Sequence, residues 1–111
     1  MNVTKLSATF STTGQITPDD LGAIAAAGFK NVINNRPDGE GGPDQPVSDD
    51  IAAAAAKLGL VYLYLPVVSG AMTTQDVSDF CQACADLEGP TLLFCRTGAR
   101  SGMLWSQSGL G

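Results

Sequence analysis

Cys95, Gly98, Arg100 and Ser101 stand close together in the stretch "FCRTGARS". A thiol is a nucleophile only as its thiolate. A guanidinium offers a planar fork that grips two oxygens of an oxyanion at once. A glycine turn leading into a helix turns backbone N–H groups toward one concavity, and the helix N-terminus adds positive potential. These residue types at this spacing describe a nucleophilic sulfur beside an oxyanion cradle. In that reading Cys95 attacks and Arg100 grips the anion. The cradle is lined by Arg96, Thr97, Gly98, Ala99 and Ser101. Arg96, directly after the nucleophile, is expected to point outward. Ser101 can donate to the sulfur or cap the helix. The thiol of Cys95 should fall below its free value of roughly 8.5. The plain alternative is a small buried cysteine flanked by surface arginines. It leaves unexplained why a charged, glycine-kinked loop follows the apolar run "TLLF", since such a loop serves no packing need.

The rest of the chain makes those arginines stand out. The 111 residues carry six Lys and Arg against eleven Asp and Glu, a net charge of -5. An acidic background does not suit nucleic acid or an anionic membrane surface as partner. No apolar run approaches a membrane span, and "MNVTKLSATF" has no signal-peptide pattern, so a cytoplasmic protein is expected. There is no histidine, which removes imidazole acid–base chemistry and makes a zinc site unlikely on chemical grounds. Three cysteines, an odd number, imply no disulfide framework. No metal and no cofactor is expected.

Elements that would position the cradle can be traced along the sequence. "KLSATFS" alternates weakly and predicts one short edge strand. Thr17 followed by Pro18 and two acids predicts a helix start, with a stop at Gly28. "FKNVINN" predicts a strand over 29–35, followed by the Gly- and Pro-rich loop "RPDGEGGPDQP". Ser48 is expected to cap a second helix ending at Gly59. "LVYLYLP" predicts a buried strand over 60–66, of parallel-sheet type. A third helix starts at Thr73 or Thr74 and runs to about Leu87. "TLLF" is the last strand. Strands alternating with helices predict an α/β protein, a three-layer sandwich with a mostly parallel central sheet, as one domain over 1–111. Cys95 then sits at the carboxyl end of a strand, where open α/β sheets bind ligands.

Over roughly residues 8–107 the sequence resembles a known family. "GQITPDDLGAIAAAGFKNVINNRPDGE", "YLYLPV" and "FCRTGARSGMLW" together are similar to the bacterial beta-lactamase-hydrolase-like phosphatase-like family. The resemblance implies a fold like that of dual-specificity phosphatases. It also implies kinship of the loop with both tyrosine-type phosphatases and rhodanese-type sulfurtransferases. It implies, as partner, a fused or separate persulfide dioxygenase of metallo-β-lactamase type.

Two enzyme readings follow, with a small anionic sulfur or phosphate compound as substrate. Related phosphatases place five residues between Cys and Arg and usually a histidine before the Cys. Here four residues separate Cys95 from Arg100, and Phe94 precedes Cys95. The six-residue loop is of rhodanese type. A phosphatase also needs an acid to protonate its leaving group. Ser69 and Gly70 occupy the region where the resemblance would put an Asp, and Asp76 lies too far along. Asp38 is the remaining candidate. Sulfur transfer needs no such acid, so a sulfurtransferase working through a Cys95 persulfide is the main expectation. A phosphatase working through a Cys95 thiophosphate, with Asp38 as acid, is the alternative. A sensor that binds an anion or persulfide without turnover is a third reading.

Arg36, in "NNRPDGE", could add a second contact to the bound anion. Cys81 and Cys84 lie one turn apart on a predicted helix and are expected to face the core, as is Trp105. Gly14-Gln15 belongs to the family pattern, with no physical role evident from sequence. Only "SQSGLG" follows Trp105, so either the terminal helix is short or the chain is a trimmed domain.

Overall fold

The computed structural model describes residues 1–111. Five strands and four helices form an α/β sandwich. The strands are β1 (Thr4–Lys5), β2 (Phe10–Thr13), β3 (Asn31–Asn34), β4 (Val61–Tyr64) and β5 (Thr91–Phe94). The helices are α1 (Leu21–Ala26), α2 (Ser48–Lys57), α3 (Thr74–Cys84) and α4 (Ala99–Ser108), and a 3₁₀ turn at Pro18–Asp20 leads into α1. The sheet order is β1-β2-β5-β3-β4. β1 pairs antiparallel with β2, and all other pairings are parallel.

Alternation along the central strands builds two cores. Successive strand side chains point to opposite faces. Val32, Leu92 and Phe94 therefore face one way and join Leu21, Ile24 and Ile51 beneath α1 and α2. Ile33 and Leu93 face the other way and join Phe80 and Leu104 beneath α3 and α4. Cys84, Trp105 and Leu110 pack against this second cluster. The Cys81 thiol donates to the Ser108 carbonyl at 3.5 Å, tying α3 to the end of α4. Burial pushes the Cys84 thiol up to about 11, with Cys81 adding to the shift.

Several expectations are corrected. "KLSATFS" is not one edge strand but a hairpin. The Ser7 hydroxyl accepts from the N–H groups of Thr9 and Phe10 and turns the chain between β1 and β2. β2 is consequently interior and buried along its length. The edge on the far side is β4, which is only half covered, with Val61 and Tyr64 exposed. Its apolar run does not mark a buried strand. Ser48 is not an N-cap: it is the first residue of α2, after Val47. Its N–H donates to Asp38 Oδ1 at 2.8 Å, and its hydroxyl pairs with the Tyr62 hydroxyl at 2.7 Å. The third helix ends at Cys84, short of Leu87. Its start is as expected, with the Thr73 hydroxyl accepting from Asp76 N–H and the Asp76 carboxylate accepting from Thr73 N–H. No helix is long and apolar enough to cross a membrane.

Candidate active site

The parallel register brings the carboxyl ends of four strands to one level. Thr13 and Asn34 both lie opposite Phe94, and Tyr64 lies opposite Asn34. The next residues along each strand, Gly14, Cys95, Asn35 and Leu65, therefore meet at one edge of the sheet.

Cys95 is 1 % exposed at the end of β5. The chain turns at Gly98, which has φ +94° and caps α4. Only glycine adopts this conformation without strain. A side chain there would also press on the Thr13 carbonyl, 3.3 Å from the place of its Cβ. The turn directs Gly98 N–H at the Cys95 sulfur, 3.1 Å away. Burial by itself raises the thiol. Donation from Ser101, Thr97 and Gly98 outweighs it and holds Cys95 below its ordinary value.

The Ser101 hydroxyl does not give its proton to the sulfur. Asn35 Nδ2 donates to the Leu65 carbonyl at 3.0 Å, and a carbonyl can only accept. This fixes the amide, so Asn35 Oδ1 faces Ser101, whose hydroxyl donates to it at 2.8 Å. The donors left for the sulfur are backbone N–H groups of Thr97, Gly98 and Ser101.

Arg100, in the first turn of α4, has its side chain 10 % exposed. Its Nη1 donates to the Val67 carbonyl at 2.8 Å. The fork itself is occupied by an unforeseen residue: Glu40 accepts from Arg100 Nη1 at 3.0 Å and from Nη2 at 2.8 Å. Arg36 Nε donates to the same carboxylate at 3.0 Å. The Arg100 hydrogen bonds, helped by Arg36, hold the Glu40 carboxyl below its usual range against the opposing effect of partial burial. Arg100 Nε is buried with no partner. The structure thus joins Arg36 to Arg100 through Glu40, and a cavity of about 560 Å³ opens among Arg36, Glu40, Val68, Ser69 and Arg96. Arg96 is exposed.

Asp38 is not brought into this group. Its carboxylate accepts from Ser48 N–H and so serves the N-terminus of α2 from outside the helix, while its own N–H donates to the Tyr64 hydroxyl at 2.9 Å. Removing that cap should cost about 1 kcal/mol. Asp38→Ala should therefore lower the denaturation midpoint while group transfer by Cys95 stays within about tenfold. A loss of about a hundredfold or more at unchanged stability would return Asp38 to the catalytic acid role.

Gly14-Gln15, without a role in the sequence, is a buttress. Gln15 N–H donates to the Arg96 carbonyl at 3.2 Å, and Gln15 Oε1 accepts from Arg36 Nη1 at 3.1 Å. A Cβ on Gly14 would stand 3.0 Å from the Arg96 carbonyl. The cradle loop rests directly on the end of β2. Gly41 likewise leaves room for Arg36, whose Nη2 would lie 2.6 Å from a Cβ there. No group of three His, Cys, Asp or Glu side chains is placed to hold a metal ion.

Comparison with known proteins places this architecture. The chain is 36 % identical over 108 residues to a beta-lactamase hydrolase-like protein of Xylella fastidiosa, covering 97 % of this chain and 25 % of that one. It is 35 % identical over 101 residues to the protein of the same description from Agrobacterium fabrum, covering 91 % and 23 %. The chain thus spans about a quarter of the length of these relatives. Among solved structures it is similar to a Neisseria meningitidis protein provisionally described as a phosphatase, at 32 % identity and a TM-score of 0.87, covering 100 % of this chain and 81 % of that one. The core catalytic domain of a PP-IP phosphatase from S. cerevisiae shares the fold at 10 % identity, with a TM-score of 0.70 over 94 % and 62 %. The model of the beta-lactamase hydrolase-like protein, phosphatase-like domain, matches residues 2–111. With a dual-specificity-phosphatase-like sandwich around a cysteine loop, the chain belongs to the phosphatase-like domain family of beta-lactamase hydrolase-like proteins.

Proposed function

We propose that this domain is a cysteine-dependent sulfurtransferase. The Cys95 thiolate attacks the outer sulfur of thiosulfate or of a low-molecular-weight persulfide. A bond forms between the Cys95 sulfur and that outer sulfur. The old sulfur–sulfur bond breaks, and its electron pair leaves with sulfite or with the thiolate. Arg100 and the loop N–H groups stabilise the departing anion. An acceptor thiolate, sulfite or cyanide then takes the outer sulfur and regenerates the Cys95 thiolate. No metal, cofactor or oxidant enters this balance.

One observation carries the reading: the six-residue loop from Cys95 to Arg100 has no carboxylic acid free to protonate a leaving group. Asp38 serves α2, and Glu40 is held as a carboxylate by two arginines. Sulfite and thiolates leave without protonation, whereas an alkoxide leaves a phosphate ester slowly without an acid.

The family and the fold weigh toward a second reading, a phosphatase passing through a Cys95 thiophosphate. Mass spectrometry of the Cys95 peptide separates the two. The chain is exposed in turn to thiosulfate, glutathione persulfide and p-nitrophenyl phosphate. A gain of one sulfur atom, discharged by cyanide with turnover, is expected. A phosphoryl adduct with phosphate-ester turnover, and no added sulfur, would overturn the sulfurtransferase reading. An added sulfur that is never discharged would make the domain a sensor. In the cytoplasm the persulfide product would suit a persulfide dioxygenase, fused to this domain or separate from it.

A further inference from the structure

The loop between β4 and α3 is tied to Arg100. Val67 is buried in it, and its carbonyl accepts from Arg100 Nη1 at 2.8 Å. The next residue, Val68, is turned outward and is 62 % exposed. Met103, on α4, is 55 % exposed. It lies one turn after Ala99 and one turn before Gln107, so these three share a face of the helix, while Ser101 and Leu104 take the buried face. Between loop and helix is a cavity of about 400 Å³, walled by Val68, Ser69, Met72, Arg100, Met103 and Gln107. Its size suits a small molecule, and its lining mixes apolar side chains with a few polar groups, as small-molecule sites do. Val68 and Ser69 also line the cavity that holds Arg36, Glu40 and Arg96. An apolar space and a charged one therefore adjoin beside the Cys95 loop. A single exposed apolar side chain needs no explanation. Two of them, from different elements, on one cavity that also takes in Arg100, call for an occupant with an apolar part. Thiosulfate has no such part.

We propose that this groove selects the sulfur donor: Val68 and Met103 seat the apolar substituent of an organic persulfide, R–S–SH, whose terminal sulfur passes to Cys95. The inference rests on the sulfurtransferase reading above and narrows its substrate class. The Cys95 thiolate bonds to the terminal sulfur. The sulfur–sulfur bond of the donor breaks, its electron pair leaves with the apolar thiolate R–S⁻, and Cys95 is left as the persulfide. Burial of R against Val68 and Met103 supplies affinity that thiosulfate cannot obtain.

The test compares the benzenethiosulfonate and methanethiosulfonate anions as donors, with cyanide as acceptor. Both carry the same charge and the same transferable sulfur, and both release a sulfinate. They differ in the apolar group. The wild type should favour the benzene compound by about tenfold or more in kcat/KM. Met103→Gln is close in size and lies at an exposed position. It should raise KM for the benzene compound by about five- to tenfold, leaving kcat, and both constants for the methane compound, within about twofold. Val68→Thr, on the opposite wall, should act in the same direction. Equal changes for the two donors in both variants, or a wild type without preference, would overturn the proposal. A second readout needs no turnover: alkylation of Cys95 by the neutral reagents N-benzyliodoacetamide and N-methyliodoacetamide, followed by mass spectrometry with Cys81 as reference in the same sample. The benzyl reagent should be the faster at Cys95 and lose that advantage in Met103→Gln. If neither thiosulfonate turns over while this advantage holds, the groove stands and the sulfurtransferase reading fails. If sulfur transfer occurs and the advantage is absent, that reading stands and the groove proposal fails.

Discussion

Cys95→Ser should abolish group transfer, lowering it by roughly 10⁴-fold or more, as expected when the nucleophile of an interdependent site is removed. The substitution is nearly isosteric, so the 1 % exposed site should remain packed. What is lost is chemical. Hydrogen bonds from Ser101, Thr97 and Gly98 hold the thiol below its ordinary value against burial, but an alkoxide lies far beyond their reach. A serine also cannot form the sulfur–sulfur bond on which the proposed turnover depends. The wild type should show the matching pH dependence. Its rate should be level above the lowered Cys95 value and fall about tenfold per pH unit below it, because only the thiolate attacks. Stopped-flow or cyanide-discharge assays on both proteins check this. Turnover by Cys95→Ser within about tenfold of wild type would remove Cys95 from the reaction.

Arg100→Lys should lower transfer by about 10²–10³-fold, the range for removal of a donor that stabilises developing charge. A lysine keeps the charge and loses the geometry. The guanidinium is positioned by the Val67 carbonyl at 2.8 Å and by Glu40 on its fork. An ammonium on a flexible stem cannot reproduce three planar directions at once. Arg96→Ala should stay within about tenfold. Arg96 is exposed, and it is its backbone carbonyl that anchors Gln15. A larger loss for Arg96→Ala than for Arg100→Lys, measured as kcat/KM with thiosulfate, would mean that the roles of the two arginines are exchanged.

The parts of the fold that were legible in sequence are those with local causes. Gly28 and Gly59 stop helices in the left-handed conformation, and Thr73 caps α3. "TLLF" is buried on both faces because its side chains alternate between the two cores. What escaped depends on partners distant along the chain or on weak local signals. The Ser7 turn contains neither Gly nor Pro, so the sequence of the hairpin reads as one strand. The apolar run of β4 resembles a buried strand, yet nothing local says that it will lie at the edge. Ser48 has the composition of an N-cap, but Asp38, ten residues earlier, takes that work. Glu40 carries no signal in the sequence because its partner Arg100 is 60 residues away. In sequence it is one acid in a loop of glycines and prolines. Gln15 joins Arg36 across 21 residues in the same way. The cradle itself was legible because its members are contiguous; the residues that hold it were not, because the fold alone assembles them.

The alignment of Thr13, Phe94, Asn34 and Tyr64 at one level has a further effect on how such a chain can change over generations. A residue inserted within β2, β3 or β5 would move Gly14, Asn35 or Cys95 by one position and turn the Asn35 or Cys95 side chain to the opposite face. All three would have to shift together to rebuild the cradle. The opposite ends of these strands carry no such constraint. They meet turns at Ser7–Thr9, Gly28 and Gly89, where added length can loop out into solvent. Length variation among relatives should therefore collect at one end of the sheet, and that end is where a tag, a label or a second domain can be spliced in without disturbing the chemistry.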